Sequence, residues 1–269
     1  MINSLDAGAI RRSADKRVQE SLARLDVFAE IDSTNSYLMQ TVGPKPGHVC
    51  IAATSNQTAG RGRHGKTWES PPGSGLCLSI AYTFAAQPDN LPALTLVLGL
   101  GAVDALEKLG ATGIAIKWPN DLVAKDAKLG GILTEVQQNS GGAVTIVAGI
   151  GINVDLPIQL DLERNVIDMK NVCEATPTHE EIAGKLVSHL FKAFVDFEEQ
   201  GFSVTAGRWS RYDWLLGREL TVYMADRQFS GVGAGVAADG ALLVNTAESG
   251  IRRVSSGTIV PGELRGKAP

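Results

Sequence analysis

Residues 113–154, GIAIKWPNDLVAKDAKLGGILTEVQQNSGGAVTIVAGIGINV, decide the fold. Within them GIAIKWP (113–119), KLGGILTEVQQ (128–138) and AVTIVAGIGINV (143–154) are apolar, β-branched runs bounded by turn residues, and each reads as a strand. Pro119-Asn120-Asp121 supplies a turn after the first. Ser140-Gly141-Gly142 signals a hairpin between the second and the third.

Working upstream, LDVFAEI (25–31), HVCIAATS (48–55) and LCLSIAYTF (76–84) read as further strands. Asp32-Ser33-Thr34-Asn35 precedes a helical run, so one of these polar residues caps it. Helical spacing runs from Leu91 to Leu109 and stops at Gly110. Downstream, residues 178–200 place Ile182, Leu186, Leu190, Phe194 and Phe197 on one helical face. Strands interspersed with helices and joined by at least one hairpin predict an α/β (α+β) mixed sheet with helices packed on it. After Trp214-Leu215-Leu216-Gly217 the pattern changes to short strands, ELTVYM, FSGVGAGVAA, ALLVNT and RRVSSGTIV, separated by turns such as Asp239-Gly240 and Ser249-Gly250. The expected organisation is a helical segment at 1–24, a main domain at 25–214 and a small all-β module at 215–269.

The 269 residues are 44% hydrophobic and 20% charged, an ordinary globular balance, with a formal net charge of −4 that argues against grip on a polyanion. Nucleic acid is therefore not expected as a partner. No basic-then-apolar leader opens the chain and no stretch approaches the roughly 18 apolar residues that span a bilayer, so the expectation is a cytoplasmic protein without a membrane partner. Cys50, Cys77 and Cys173 are scattered without a CxxC spacing, and His48, His64, His179 and His189 lie far apart; neither set suggests a disulfide framework or a zinc site.

The stretch 57–75, QTAGRGRHGKTWESPPGSG, is too rich in Gly, Pro and charge for regular structure and reads as a long functional loop. At its centre Gly60-Arg61-Gly62-Arg63-His64-Gly65 combines three glycines, which free the backbone, with two guanidinium forks suited to a carboxylate or phosphate, a pattern that a solvated loop or an RGG-like nucleic-acid contact also explains. It is neither a Walker A loop nor a dinucleotide fingerprint. Lys117-Trp118-Pro119-Asn120-Asp121 puts a lysine at a strand end with an amide and a carboxylate just beyond, a set that phosphate and metal chemistry use and an ordinary turn also explains. Lys128 precedes Gly130-Gly131, where something approaches a strand backbone closely. Gly149-Ile150-Gly151-Ile152-Asn153 repeats the pattern, with two glycines on one face leaving either a flat floor for a ligand or room for a tightly packed helix.

Taken in order, IDSTN, GRGRHGKTW, KWPNDL, KLGGIL and GIGINV resemble the catalytic region of bacterial biotin protein ligases, and the resemblance of layout continues through the small β module. It implies a catalytic domain related to lipoate ligases and class II tRNA synthetases, followed by an SH3-like β-barrel. It also implies ATP with Mg2+ and biotin as substrate, and a two-step reaction through biotinyl-5'-AMP to a lysine of a biotin carboxyl carrier protein. Carried over by position, Ser33, Thr34, Asn35, Gln57, Gly62, Trp68 and Gly131 would surround biotin, and Arg61 and Arg63 would grip its carboxylate and the forming adenylate. Lys128 would be the central catalytic residue, acting with Arg61 and Arg63 and also touching biotin, and Lys117, Asn120, Asp121 and Asn153 would position ATP, with the metal ligands unassigned. A homodimer is compatible with the family. The alternatives are a lipoate or octanoyl transfer enzyme on the same fold and a ligand-sensing regulator without catalysis. Two departures accompany the resemblance. The 24 or so residues before the first strand are too few for the winged-helix DNA-binding domain of the regulatory members, and residues 155–170 offer aliphatic side chains and methionine where some members close a tryptophan over adenine.

Overall fold

The computed structural model describes residues 5–138, 142–157, 165–224 and 227–264. Helices α1 (Ala7–Ser13) and α2 (Lys16–Ser21) lead into strand β1 (Leu22–Phe28), which begins three residues earlier than the sequence pattern suggests. There follow α3 (Thr34–Gln40), β2 (Val49–Thr54), β3 (Gly75–Phe84), α4 (Leu94–Lys108), β4 (Ile114–Lys117), β5 (Asp121–Ala124), β6 (Ala127–Gln138) and β7 (Val144–Asn153). These strands form one seven-stranded sheet in the order β1-β2-β3-β7-β6-β5-β4, with β1 parallel to β2 and every other pair antiparallel. It is the mixed sheet expected. β6 and β7 pair from Gly130 opposite Ile152 to Gln138 opposite Val144, the register of a hairpin, although residues 139–141 of the Ser140-Gly141-Gly142 turn lie outside the described set.

β5 has no counterpart in the sequence reading. Its return to β6 is made by Lys125 (φ 48°) and Asp126 (φ 59°), both left-handed. Primed hairpin turns usually announce themselves by Asn-Gly or Asp-Gly, and this one does not.

The inner strand β3 is buried along all ten residues, so both faces of the sheet must be covered. On one face lie α4 and α6 (His179–Gln200), the latter preceded by the short α5 (Met169–Val172). The N-terminus of α6 is a full capping box, with Thr178 accepting from the Glu181 N–H and the Glu181 carboxylate accepting from the Thr178 N–H. The main core fills this side, including Tyr82 stacked on Phe194. The opposite face is covered by α3, whose one buried apolar residue, Leu38, packs with Cys50, Ala52, Ala81 and Val147 in a second small cluster. A helix this short leaves the rest of that face open, and the candidate site occupies it.

Helix α7 (Ser203–Tyr212), which has no counterpart in the sequence reading, leads to a second sheet. This comprises β8 (Arg218–Tyr223), β9 (Gln228–Val236), β10 (Leu242–Thr246), β11 (Gly250–Val254) and β12 (Thr258–Leu264), wholly antiparallel in the order β11-β10-β9-β8-β12, an arrangement consistent with an SH3-like module. The run RRVSSGTIV, read as one strand, is two strands broken around Gly257 (φ 148°). Among the described residues no helix is long and apolar enough to cross a membrane.

Candidate active site

Ser33 caps α3, its Oγ accepting from the Ser36 N–H at 3.3 Å, and this sets Thr34 and Asn35 in the first turn against the sheet, both nearly inaccessible to solvent. The backbone N–H and the hydroxyl of Thr34 both lie against Gln57 Oε1, at 2.8 and 3.1 Å. That fixes the orientation of the Gln57 amide and leaves its Nε2 as donor. Ser79 Oγ, on β3, is 2.7 Å from Thr34 Oγ1 and 2.6 Å from Asn35 Oδ1. Two hydroxyl hydrogens thus serve three close contacts, a tightly wired polar cluster at one end of the open face.

The loop expected to be irregular is a narrow excursion that pairs with itself. Trp68 donates its N–H to Gly60 O at 3.0 Å and Gly62 to Lys66 O at 2.6 Å, around a single turn at Arg63–Gly65 with His64 left-handed. Gly60 is required by proximity, since a Cβ there would lie 2.4 Å from the Trp68 carbonyl oxygen. Pairing throws the two arginines onto different partners. Arg61 meets Glu135 of β6 with Nη1–Oε1 at 3.0 Å and Nη2–Oε2 at 2.6 Å. Arg63 reaches Asn120 Oδ1 at 3.4 Å; burial lowers its pKa, and the Asp121 carboxylate works in the opposite direction.

Trp68 lies flat over the sheet, where a Cβ on Gly151 would be 2.4 Å from its Cε2. Asn35 covers Gly149 in the same way, at 2.3 Å. The two glycines on β7 therefore do leave a flat floor, but the floor is occupied by the protein's own side chains, one from a helix and one from the loop. Gly130 is explained by the neighbouring strand, 2.6 Å from the Gly151 carbonyl, whereas Gly131 opens toward Lys128 and Asp121. Lys128 Nζ is held by Asp121 Oδ1 at 2.6 Å and lies 5.5 Å above the Trp68 ring.

A cis peptide joins Trp118 to Pro119, and the turn it makes is closed by Asn120 Nδ2 to Ile132 O at 2.8 Å and the Ile132 N–H to Asn120 O at 2.9 Å. Lys117, at the end of β4, has its Nζ 5.7 Å over the Trp214 ring. One cavity is lined by Ser33, Thr34, Asn35, Gln57, Arg61, Gly62, Arg63, Trp68, Lys117, Asn120, Asp121, Lys128 and Gly131. Of the residues expected to bind substrate or nucleotide, Asn153 is not in that lining: its Nδ2 donates to Lys128 O at 3.2 Å and Ile167 O at 3.0 Å, behind the lysine. Residues 158–164 of the stretch considered as an adenine lid lie outside the described residues; its remainder reaches Lys128, which pairs with Val166.

Sequence reasoning missed Ser79, Glu135 and the part of the second sheet, Gly257–Ile259, that completes the wall. Strand parity offered a signal for the first two. Gly131, Leu133 and Glu135 alternate onto one face of β6, and Ser79 stands opposite Gly149, so each shares a face with a glycine already singled out. Cys77 also lines the cavity, but burial pushes its thiol up to about 12 against the opposing influence of Trp68, so it supplies no thiolate at neutral pH. Among the described residues no group of three or more His, Cys, Asp or Glu could hold a metal. The site is a cationic, glycine-floored cleft suited to an anion, and its one lining thiol among the described residues stays protonated.

Comparison with known proteins agrees. The model of the biotin/lipoate A/B protein ligase family matches residues 27–153, and that of the biotin protein ligase C terminal domain matches residues 215–261. The bifunctional ligase/repressor BirA of Salmonella typhimurium is 36% identical over 248 residues, 90% of this chain and 74% of that protein. The biotin--[acetyl-CoA-carboxylase] ligase of Paracoccus denitrificans is 27% identical over 81% of this chain and 92% of its own length. The solved structure of the Aquifex aeolicus biotin protein ligase in complex with biotin and ATP superposes with a TM-score of 0.74 at 27% identity, covering 90% of this chain and 99% of that one. This chain belongs to the biotin protein ligase family.

Proposed function

We propose that this chain activates biotin with ATP as biotinyl-5'-AMP and transfers it to a lysine of a biotin carboxyl carrier domain. The observation that carries the reading is the convergence of Arg61, Arg63 and Lys128 on one cavity whose far end is the Thr34–Gln57–Ser79 polar cluster. A bicyclic ureido head needs fixed donors and acceptors, and Gln57 Nε2 and the hydroxyls provide them; the carboxylate tail then points toward the cations.

In the first step a biotin carboxylate oxygen forms a bond to the α-phosphorus while the bond to pyrophosphate breaks. In the second, the neutral amine of the acceptor lysine attacks the acyl carbon, AMP leaves with the bonding pair, and the amine proton is released. Neither step needs a covalent link to the protein. What the chain supplies is positive charge fixed in advance: Arg63 and Lys128 stand beside the phosphoryl oxygens, where negative charge builds, and Arg61 binds the carboxylate and orients it for attack. Asp121 holds the Lys128 ammonium in place through their 2.6 Å contact, and Asn153 fixes the strand beneath it. Lys117 and Asn120 would complete the nucleotide side.

The residues fit a Mg2+ ion that arrives with the nucleotide. Asn120 and Asp121 would hold it, and with one carboxylate at the site most of its ligands must be phosphate and water oxygens, the usual Mg2+ arrangement. When bound, it neutralises phosphate charge. The net charge of −4 favours a protein acceptor over a polyanion as partner.

The test is the mass of a carrier domain incubated with this protein, biotin and Mg-ATP. A gain of one biotin on one lysine is expected; transfer from lipoate and none from biotin would overturn the reading. Lys128→Ala should reduce pyrophosphate release at least about a hundredfold, the scale of losing a preorganised charge at the transition state, while biotin affinity changes by less than about tenfold. Unimpaired turnover would remove Lys128 from its role.

A further inference from the structure

We propose that Glu135 is the positioning residue for Arg61, holding its guanidinium ready for the substrate carboxylate. This rests on the reading of the cavity as a site for an organic acid. Glu135 is not in the cavity lining, whereas Arg61 is. The contact between them is end-on, through Nη1 and Nη2 at 3.0 and 2.6 Å. An arginine has five N–H groups, and an end-on pair uses one hydrogen on each terminal nitrogen. The Nε–H and the second hydrogen of each terminal nitrogen remain, including the side-on fork that a second carboxylate accepts in bidentate fashion.

An exposed arginine–glutamate pair would ordinarily deserve no functional weight. This one differs in how its acid is held. Glu135 Oε2 also accepts from Asn35 Nδ2 at 2.9 Å. Asn35 is buried, covers Gly149 at a distance no Cβ would allow, and has its carbonyl fixed by Ser79 at 2.6 Å. Its amide donates further to Leu133 O at 3.3 Å. The carboxylate is thereby tied to α3 and β3 as well as to its own strand, while Arg61 comes from a loop. A rigid acid on the sheet thus orders a flexible cation on the loop, and the same buried asparagine links that cation to the Thr34–Gln57 end of the cavity. The ends of the cleft that would take the ureido head and the carboxylate are set at a fixed separation by one hydrogen-bonded chain.

Glu135→Gln tests the assignment. An amide cannot accept both forks, so Arg61 should lose its order. Side-chain 15N relaxation at Arg61 Nε in the ligand-free protein should change from rigid in the parent to mobile in the variant. The biotin KM should rise about tenfold with kcat at saturation within about twofold and the ATP KM unchanged, the pattern of lost uniform binding. In an Arg61→Ala background the same substitution should add less than about twofold. Full additivity, a fall in kcat with ATP KM altered in parallel, or an Arg61 Nε that stays rigid would each overturn the proposal. Failure of the parent protein to bind biotin would instead refute the reading of the cavity, and the relaxation measurement would still decide what orders Arg61.

Discussion

Gly149 and Gly151 carry no side chain because Asn35 and Trp68 fill the space, at 2.3 and 2.4 Å from where a Cβ would stand. A methyl group at 151 must push a ring that forms a wall of the cavity and lies beneath the Lys128 ammonium. Gly131 makes a contrast within the same sheet face: a Cβ there would meet Lys128 Nζ at 3.4 Å and Asp121 Oδ1 at 3.5 Å, ordinary contact distances. Gly151→Ala is expected to cost about 1–3 kcal/mol of stability, as overpacking does, and to weaken biotin binding at least about tenfold. Gly131→Ala should stay within about 1 kcal/mol. Paired denaturant melts and biotin titrations check the order, and equal costs at the two positions would contradict this account of the floor. The glycines were visible in the sequence; their occupants were not, because a strand pattern states that something approaches without naming it. Arg61, Arg63 and Lys128 were legible because their motifs are contiguous. Glu135 was legible only in part: strand parity puts it on the face of Gly131, but its partner Arg61 is apparent only when β6 is laid beside the loop.

Among the elements, those with strong periodicity are where the sequence placed them. α6 shows its five-residue apolar stripe together with a capping box at Thr178, and β3 and β7 are continuous apolar runs because they are covered on both faces. β5 and α7 escaped because their signals are short or weak: β5 is four residues after a turn that lacks glycine, and α7 is a ten-residue, mostly polar helix with few apolar residues, Trp209 among them buried. α6 also sets an acid sensitivity. Burial lowers the pKa of His179 below the usual histidine value against the opposing pull of Glu180 and backbone groups of Gly73 and Gly75. Burial lowers His189 as well, against Asp104 and Asp15, with Lys185 and Lys108 adding to the lowering. The unfolded chain protonates these rings near pH 6.5 and the folded chain only at lower pH. Between those values the unfolded state binds more protons, so their contribution is intact above about pH 6.5 and is lost as pH falls through the folded values. The urea midpoint should therefore decline from pH 7 to 5, and the decline should be shallower with both residues replaced by glutamine. An unchanged slope would assign the acid sensitivity elsewhere.

At the scale of the molecule the two sheets share one hydrophobic core. Leu220, Val222, Leu242, Val244 and Ile259 of the second sheet belong to the same buried cluster as Ile116, Trp118 and Leu122 of the first. Trp118 adds a directional tie, donating its indole N–H to Gly240 O at 2.9 Å from within the same turn that presents Asn120 and Asp121 to the cavity. Trp214 adds another, with its backbone N–H on Ile116 O at 3.0 Å and its ring under the Arg218 guanidinium at 4.0 Å. A shared core predicts that the sheets unfold together. Calorimetry should show one transition, and fluorescence and circular dichroism should trace it with the same midpoint. Trp118→Phe leaves the Gly240 carbonyl without its donor and should cost about 1–3 kcal/mol, lowering that single transition without splitting it. Because Gly257–Ile259 also lines the cavity, biotin with ATP should raise the whole transition, by mass action on the folded state. Two separated transitions in the parent protein, with only the first responding to ligand, would show that the second sheet is an appended module and not a wall of the site.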